Sequence, residues 1–401
     1  MSAAHQLLIF NAGSSSLKFE LIDMSGGAAR LTGSYAQGGD GRFRWHGAGA
    51  GAPPPAGTLG EAAGRVLDWL SDAGRHGRDL LAGVAASVHR IVHGGEKFRA
   101  ATLLDAADLT VLAGLGSLAP LHNPAALAVI GAVRARLAGR PLIGVFDTAF
   151  YADLPAAATH YAVPERWRTQ FGIRRYGFHG MAHRYLWETA RRRLQGSHAC
   201  ARLVSLQLGS GCSVTATADG RPRATSMGFT PLAGLVMGTR SGDVDPGALL
   251  YVMQHTGMSA ADMQIELNEK SGLLGLSGRS ADMRELLELE RRGDAAAALA
   301  VEIFCRRATH YLAAYVAELG GVDVIAFGGG IGENCPQLRR RIVAPLAFAG
   351  IEMDAAANAA AVGVAAGIGT AASRAAILVL PVDEAAVMAA DADALLLQCP
   401  A

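Results

Sequence analysis

LLIFNAGSSSLKFELI occupies residues 7–22, and LVSLQLGSGCSVTAT occupies residues 203–217. Each reads as an apolar strand, a turn of small residues and a second strand, the pattern of a β-hairpin. The two copies stand almost two hundred residues apart. Repetition at that distance suggests two related domains, each opening on the same hairpin.

The segments between and after the hairpins alternate strand and helix, which argues an α/β fold. GVAASVHRIVHGG (83–95) contains a buried strand that ends in a polar cluster. PAALAVIGAVRARL (124–137) has helical spacing behind Pro124, and PLIGVFDT (141–148) is a short buried strand ending on Asp147. MAHRYLWETARRRL (181–194) is an amphipathic helix, and helices are expected over 247–256, 281–292 and 295–319. VDVIAFGGGIGEN (322–334) reads as strand, glycine turn and helix entry. A strand from 376 and a final helix after Glu384 close the chain. The break near 148–152 sets the expected domains at 1–150 and 151–384, with the helix of about 385–401 returning to the first. HGAGAGAPPPAGTLGEAAG (46–64) reads as a loose loop, and AAANAAAVGVAAGIGTAAS (355–373) carries no clear signal.

With 401 residues and 51% hydrophobic content, each domain has enough apolar material for its own core. The net charge of +1 gives no general attraction to nucleic acid or membrane. No apolar stretch approaches the length of a membrane span, and no leader-like N-terminus precedes the first strand. Five scattered cysteines without a CxxC pair indicate neither a zinc site nor a disulfide framework. The expectation is a soluble, cytoplasmic protein.

Fifty glycines are the compositional outlier, and many sit in short turns. Small residues between strands let backbone N–H groups approach an anion. NAGSSSLK adds hydroxyls and Lys18, and LGSGCS adds Ser210 and Ser213. Each turn taken alone reads better as a plain tight hairpin; the repetition, with Lys18 and Asn11 beside one copy, shifts the reading toward a polyphosphate site. GGGIGEN (328–334) follows a strand and opens a helix, the geometry of a nucleotide site, yet neither GxGxxG nor a P-loop is present. Arg90 and Arg240 lie beside glycines at the ends of apolar stretches, suited to two-point binding of carboxylate or phosphate, or to a solvated surface. Asp147 is placed for a cleft or for capping the next helix. His89 and His93, and His179 and His183, are spaced four apart, but without HExxH a metal hydrolase is disfavoured. His179 is placed to donate to developing negative charge.

FNAGSSSLKF, HRIVHGGE, PLHNP, VFDTAF, RRYGFHG, SMGFTPLAGLVMGTRSGDVDPG, SGLLGLSGRSADMRE, FGGGIGEN and VDEAA occur in one order across nearly the whole chain. Together they resemble the acetate kinase family, with its propionate and butyrate kinase relatives, in the sugar kinase/Hsp70/actin superfamily. The resemblance implies two ribonuclease-H-like, actin-like ATPase domains with a nucleotide cleft, and a homodimer. It implies reversible phosphoryl transfer between ATP and a short-chain carboxylate, giving acyl phosphate and ADP. Asn11 and Glu384 match the family's metal-associated residues for Mg2+, with Mn2+ able to substitute. Lys18 matches an ATP-contacting lysine. Arg90 matches the arginine that holds the acyl carboxylate, and Asp147 the active-site aspartate. His179 and Arg240 match transition-state contacts. Gln207, Leu208, Gly209, Ser210 and Gly211 match the phosphate loop. Asp282, Met283 and Arg284 match the adenosine region, as do Gly330, Ile331, Gly332, Glu333 and Asn334. Val92, Leu121, Phe178 and Pro231 match the apolar acyl pocket.

Phosphoryl transfer to a carboxylate joins two anions, so the catalyst chiefly neutralises and aligns. A carboxylic acid is already ionised at neutral pH and needs no general base. Asp147 is therefore expected to position an arginine or a metal-bound water. The chain departs from the family where His-Leu-Gly-Asn-Gly is usual, reading Gln207 to Gly211 instead, and it carries FGGG before the adenosine turn. Acetate is the first substrate expected, propionate the alternative. A non-catalytic nucleotide-binding regulator and a phosphohydrolase are the competing classes.

Overall fold

Alternation drives the first hairpin. In the strand Ser16–Asp23, Leu17, Phe19 and Leu21 are buried while Ser16 and Lys18 face solvent. Its partner, Gln6–Ala12, is buried along most of its length and pairs with it antiparallel, placing Asn11 opposite Lys18. The computed structural model describes residues 5–13, 15–25, 29–37, 43–47, 53–76, 79–194 and 201–398. Two compact units form, one from residues 1–152 and 383–401, the other from 153–382.

The strands of the first unit are β1 (Gln6–Ala12), β2 (Ser16–Asp23), β3 (Ala29–Ala36), β4 (Phe43–Gly47), β5 (Val84–Ile91), β6 (Thr102–Leu103) and β7 (Leu142–Phe146). Their order in the sheet is β4-β3-β2-β1-β5-β7-β6. β1 to β4 form an antiparallel meander, and β5 and β7 add parallel to β1. The second unit contains β8 (Arg202–Leu208), β9 (Cys212–Ala218), β10 (Arg221–Thr225), β11 (Val324–Gly328), β12 (Ala366–Gly367) and β13 (Ala376–Val379), ordered β10-β9-β8-β11-β13-β12. Here two antiparallel strands, one fewer than in the first unit, continue from β8 on one side, and β11 and β13 add parallel to it on the other. The hairpin repeat seen in sequence is thus a repeat of whole-sheet topology.

In the first unit, the helix Leu59–Ser71 packs with Asn123–Arg136 on the sheet, joining Val66, Leu67 and Leu70 to Val129, Val133, Leu8 and Phe10. The helix Glu384–Gln398 lies against β1, β5 and β7. In the second unit, Leu186 and Ala190 of the helix Gly180–Arg193 pack on Leu203, Val324, Ala326 and Leu378. Burial against helices explains why β7 and β11 are buried without interruption.

Three expectations are corrected. The stretch 46–64 is not all loop, because a helix begins at Leu59, capped by Thr58, whose side chain accepts from the Glu61 backbone. Residues 48–52 of that stretch lie outside the described residues. The stretch 355–373 contains the helix Ala355–Ala360 and β12. The final helix starts on Glu384 rather than after it, and Glu384 belongs to the first unit.

Candidate active site

β5 delivers Arg90 and β7 runs into Asp147, whose backbone N–H continues the parallel ladder by bonding Ile91 O at 3.0 Å. The two side chains then meet in a fork. Arg90 Nε donates to Asp147 Oδ1 at 2.8 Å, and Arg90 Nη2 to Asp147 Oδ2 at 2.7 Å. Arg90 Nη1 donates to Asn11 Oδ1 at 3.1 Å and lies 3.4 Å from Glu384 Oε2. Asn11 Nδ2 closes the cluster by donating to Glu384 Oε2 at 3.0 Å. Asp147 is 1% exposed. Burial opposes the charge on Arg90, but Asp147 and Glu384 outweigh it and push the guanidinium pKa further up. These three bonds engage three of the five guanidinium donors. Asn11, Arg90, Asp147 and Glu384 therefore form one connected set, with Lys18 opposite Asn11 in the hairpin.

Val92 is buried just beyond β5. An amide clip fixes this segment: Asn123 Oδ1 accepts from His93 N at 3.1 Å, and Asn123 Nδ2 donates to His93 O at 3.0 Å. Thr148 Oγ1 accepts from Gly94 N at 3.1 Å. The half-buried Leu121 precedes the clip by two residues. His89, on the strand beside Arg90, stacks on Phe10 at 5.4 Å, and burial lowers its pKa to about 3. It is a neutral core histidine.

In the second unit, the turn after β8 is closed by Gly209 N donating to Gly211 O at 3.0 Å. Neither glycine has a positive φ, so conformation does not demand them. Space constrains Gly211 but not Gly209: a Cβ on Gly211 would lie 3.3 Å from His179 Cε1, tighter than ordinary packing, with Arg240 Nη1 in ordinary contact at 3.8 Å. His179 and Arg240 thus converge on Gly211. His179 adopts a left-handed φ of 59° at the start of the Gly180–Arg193 helix, a conformation uncommon outside glycine. Arg240 Nη1 donates to Pro231 O at 3.2 Å, and Gly238 N to Ser210 O at 3.1 Å, tying the arginine loop to the turn. Gly272, at φ 62°, is forced by crowding, since a Cβ there would meet Met237 O at 2.3 Å and Arg240 O at 2.7 Å.

The glycine turn expected after β11 is itself helical, Gly329–Asn334 following the strand directly, and it lies beside the turn after β8 because Gln207 and Gly328 are register partners. A Cβ on Gly329 would come within 2.5 Å of Leu208 O. Glu333 Oε1 accepts from Gly329 N at 2.8 Å and Val382 N at 3.1 Å. Arg339, fully buried, clamps the turn from beneath. Its Nη1 donates to Gly332 O and Glu333 O, its Nη2 to Asn358 O and Ala361 O, and its Nε to Asn358 Oδ1. Sequence reading missed Arg339 because it is one of three successive arginines and only helical register singles it out. Asp282 caps the helix Met283–Arg291 and pairs with exposed Arg284, which holds its carboxyl below the usual range. Phe178, Leu208 and Met283 are buried. Gln207 Oε1 is buried with no hydrogen-bond partner among the described residues.

Both units thus present polar groups at strand ends beside glycine turns, with the topology of the actin-like ATPases. A sequence profile described as the acetokinase family matches residues 6–390. An acetate kinase from Treponema denticola is 39% identical over 97% of this chain and 99% of its own. A crystal structure of Porphyromonas gingivalis acetate kinase superposes with a TM-score of 0.89 at 35% identity, covering 98% of this chain and all of that one. A propionate kinase from Francisella tularensis superposes with a TM-score of 0.88 at 34% identity, over 96% and 98% of the two chains. The chain belongs to the acetokinase family.

Proposed function

We propose that the protein is an acyl kinase that transfers phosphoryl groups reversibly between ATP and a short-chain carboxylate, with acetate the first substrate. The Arg90 cluster carries this reading. A guanidinium fixed by Asp147 and Asn11, with two donors beyond those bonds, is an oriented cation for an organic carboxylate. Asp147 acts by orienting Arg90, because both its oxygens accept from that guanidinium. Val92, Leu121, Phe178 and Pro231 are assigned to the acyl group. Lys18, Gln207 to Gly211, Asp282 to Arg284 and Gly330 to Asn334 are assigned to the nucleotide, and His179 and Arg240 to the transferring phosphoryl group.

The side-chain oxygens of Asn11 and Glu384 lie within one hydrogen-bonded set, and both are hard donors. Such a pair suits Mg2+, which takes few protein oxygens alongside substrate phosphate and water. Among the described residues no group of three or more His, Cys, Asp or Glu is arranged to hold a metal. Bound there, Mg2+ would neutralise phosphate charge. Both ring nitrogens of His183, by contrast, are engaged by serine hydroxyls.

Propionate remains a second reading, because an extra methylene in an apolar pocket is discriminated by only about 1–3 kcal/mol. The near-equal likeness to an acetate and a propionate kinase favours testing both. A homodimer belongs to the same proposal. The helix Pro246–Thr256 buries none of its side chains within the chain, and Leu250 and Tyr251 are about three-fifths exposed. No described helix is long and apolar enough to cross a membrane, and the buried thiols of Cys212, Cys305 and Cys335 are unpaired, which supports a reducing, cytoplasmic setting. The test is ATP-dependent acyl phosphate formation, trapped with hydroxylamine, across acetate, propionate and butyrate. Hydroxamate from acetate is expected. Nucleotide binding without product from any acid would leave a regulator, and acid-independent phosphate release a hydrolase.

A further inference from the structure

Behind His179 runs a buried chain of hydrogen bonds that crosses from the Gly180–Arg193 helix to the β8–β9 hairpin. His179 Nδ1 lies 2.8 Å from Ser213 Oγ. Ser213 Oγ lies 2.7 Å from His183 Nε2, and His183 Nδ1 lies 2.7 Å from Ser205 Oγ. Ser205, Ser213 and His183 are all buried. Ser213 therefore sits between two imidazoles with one proton to donate, so the two rings cannot both accept from it.

The direction of the chain follows from the role assigned to His179. A neutral ring that donates from Nε2, the atom beside Gly211, accepts at Nδ1, so Ser213 gives its proton to His179. Ser213 then accepts from His183 Nε2. Burial holds His183 neutral, with His179 adding to the effect, so its Nδ1 accepts from Ser205 at 2.7 Å.

We propose that Ser205, His183 and Ser213 form a relay that fixes His179 as the Nε2–H tautomer, making His183 and Ser213 positioning residues for phosphoryl transfer. The inference rests on the reading of His179 as a phosphoryl-group donor. Its consequence is specific: a donor is aimed past Gly211 without protonation of the ring, and two serines that touch no substrate set its direction. Preorganised donors of this kind act because they need not reorient as charge develops.

The test separates the relay from the role of His179. Nitrogen NMR of the full-length protein labelled at histidine reads the tautomer directly, with no need for turnover. A His179 resonance set with an unprotonated Nδ1 and a protonated Nε2 is expected, and a protonated Nδ1 would overturn the relay. Ser213→Ala should give a mixed His179 tautomer and about a tenfold lower kcat, with KM for acid and nucleotide within twofold. An unchanged tautomer and rate would also overturn it. Should Ser213→Ala fold poorly, Ser205→Ala, at the remote end, carries the same tautomer prediction. If His179→Ala keeps full activity while the wild-type tautomer is as expected, the donor reading fails and the relay stands.

Discussion

The two hairpins occupy matching places in their sheets, and their strand-end residues can be compared one for one. Asn11 in the first corresponds to Gln207 in the second, each two residues before the turn glycine. Lys18 faces Asn11 where Ser213 faces Gln207. Arg90 follows His89, the register partner of Phe10, so its counterpart beside Gln207 is Gly328. One unit thus fills these positions with an amide and two cations, the other with an amide, a hydroxyl and a glycine. In the first, Asn11 is locked to Arg90 and Glu384 by hydrogen bonds involving charged groups. In the second, Gln207 Oε1 is left without a partner, and order comes from a neutral chain through Ser213 and from backbone packing at Gly329. The same topology can therefore carry a charged, side-chain-built site or a backbone-built one. In the proposed reading the first takes the small carboxylate and the second the polyphosphate.

Breaking the charged side should cost most. Arg90→Ala removes both hydrogen bonds that Arg90 gives to the buried Asp147 carboxylate, so about 3–5 kcal/mol of stability should be lost. Activity should fall about a thousandfold, the scale of removing a preorganised donor. Arg90→Lys should also fail to restore the rate, because an ammonium cannot reproduce the fork; a near-wild-type rate would show that charge alone suffices. Denaturant unfolding and steady-state kinetics read both effects.

The backbone-built side has its own support in Arg339. Arg339→Met removes five hydrogen bonds and leaves buried carbonyls of the glycine turn and the Ala355–Ala360 helix without a donor. A loss of about 3 kcal/mol is expected, with KM for ATP rising several-fold and KM for acetate unchanged. Equal changes in both constants would show that Arg339 is not specific to the nucleotide side.

His89 sharpens the comparison through pH. Its pKa is lowered to about 3 in the folded protein, against an ordinary value near 6.5. The unfolded chain binds the proton first, so stability is full above pH 6.5 and falls as pH drops toward 3. Between pH 7 and pH 5 this single group should cost about 2 kcal/mol. His89→Phe, beside Phe10, should flatten the acid limb of stability by that amount; an unchanged limb would mean that other groups carry it.

The smallest effect concerns Gln207. Its acceptor has no partner to lose, so Gln207→Leu should change stability by less than about 1 kcal/mol. Gln207→His should raise turnover if an imidazole strengthens the phosphate contact. A reduced rate would show that Gly328, whose missing Cβ would lie 3.1 Å from Gln207 Oε1, has adapted the turn to glutamine.

Much of this was legible in the sequence, and the gaps have physical causes. The hairpins were visible because small turn residues separate strongly apolar strands. The motif residues near Arg90 were visible as polar groups ending apolar runs. The helix from Leu59 was hidden by its Gly- and Ala-rich lead, although Thr58 and Glu61 form a start signal at the right spacing. The relay was hidden because Ser213 read as a hydroxyl of the anion-binding turn rather than as a partner of two histidines. Yet Ser205, Gln207, Ser213 and Thr215 recur at every second position, marking one polar face of the β8–β9 hairpin. Which histidine nitrogen meets which hydroxyl depends on the packing of the Gly180–Arg193 helix, and no local pattern encodes it. That Gly211 also leaves room for the His179 ring depends on where the Gly180–Arg193 helix places that side chain, which the turn's own letters do not show.

Phosphorus NMR of the wild-type protein with acetyl phosphate, ADP and Mg2+ tests the central claim most directly. The account predicts that the acetyl phosphate signal declines as the γ-phosphate signal of ATP grows, while inorganic phosphate stays flat. Growth of inorganic phosphate in place of ATP, or no change in either signal with nucleotide bound, would contradict it.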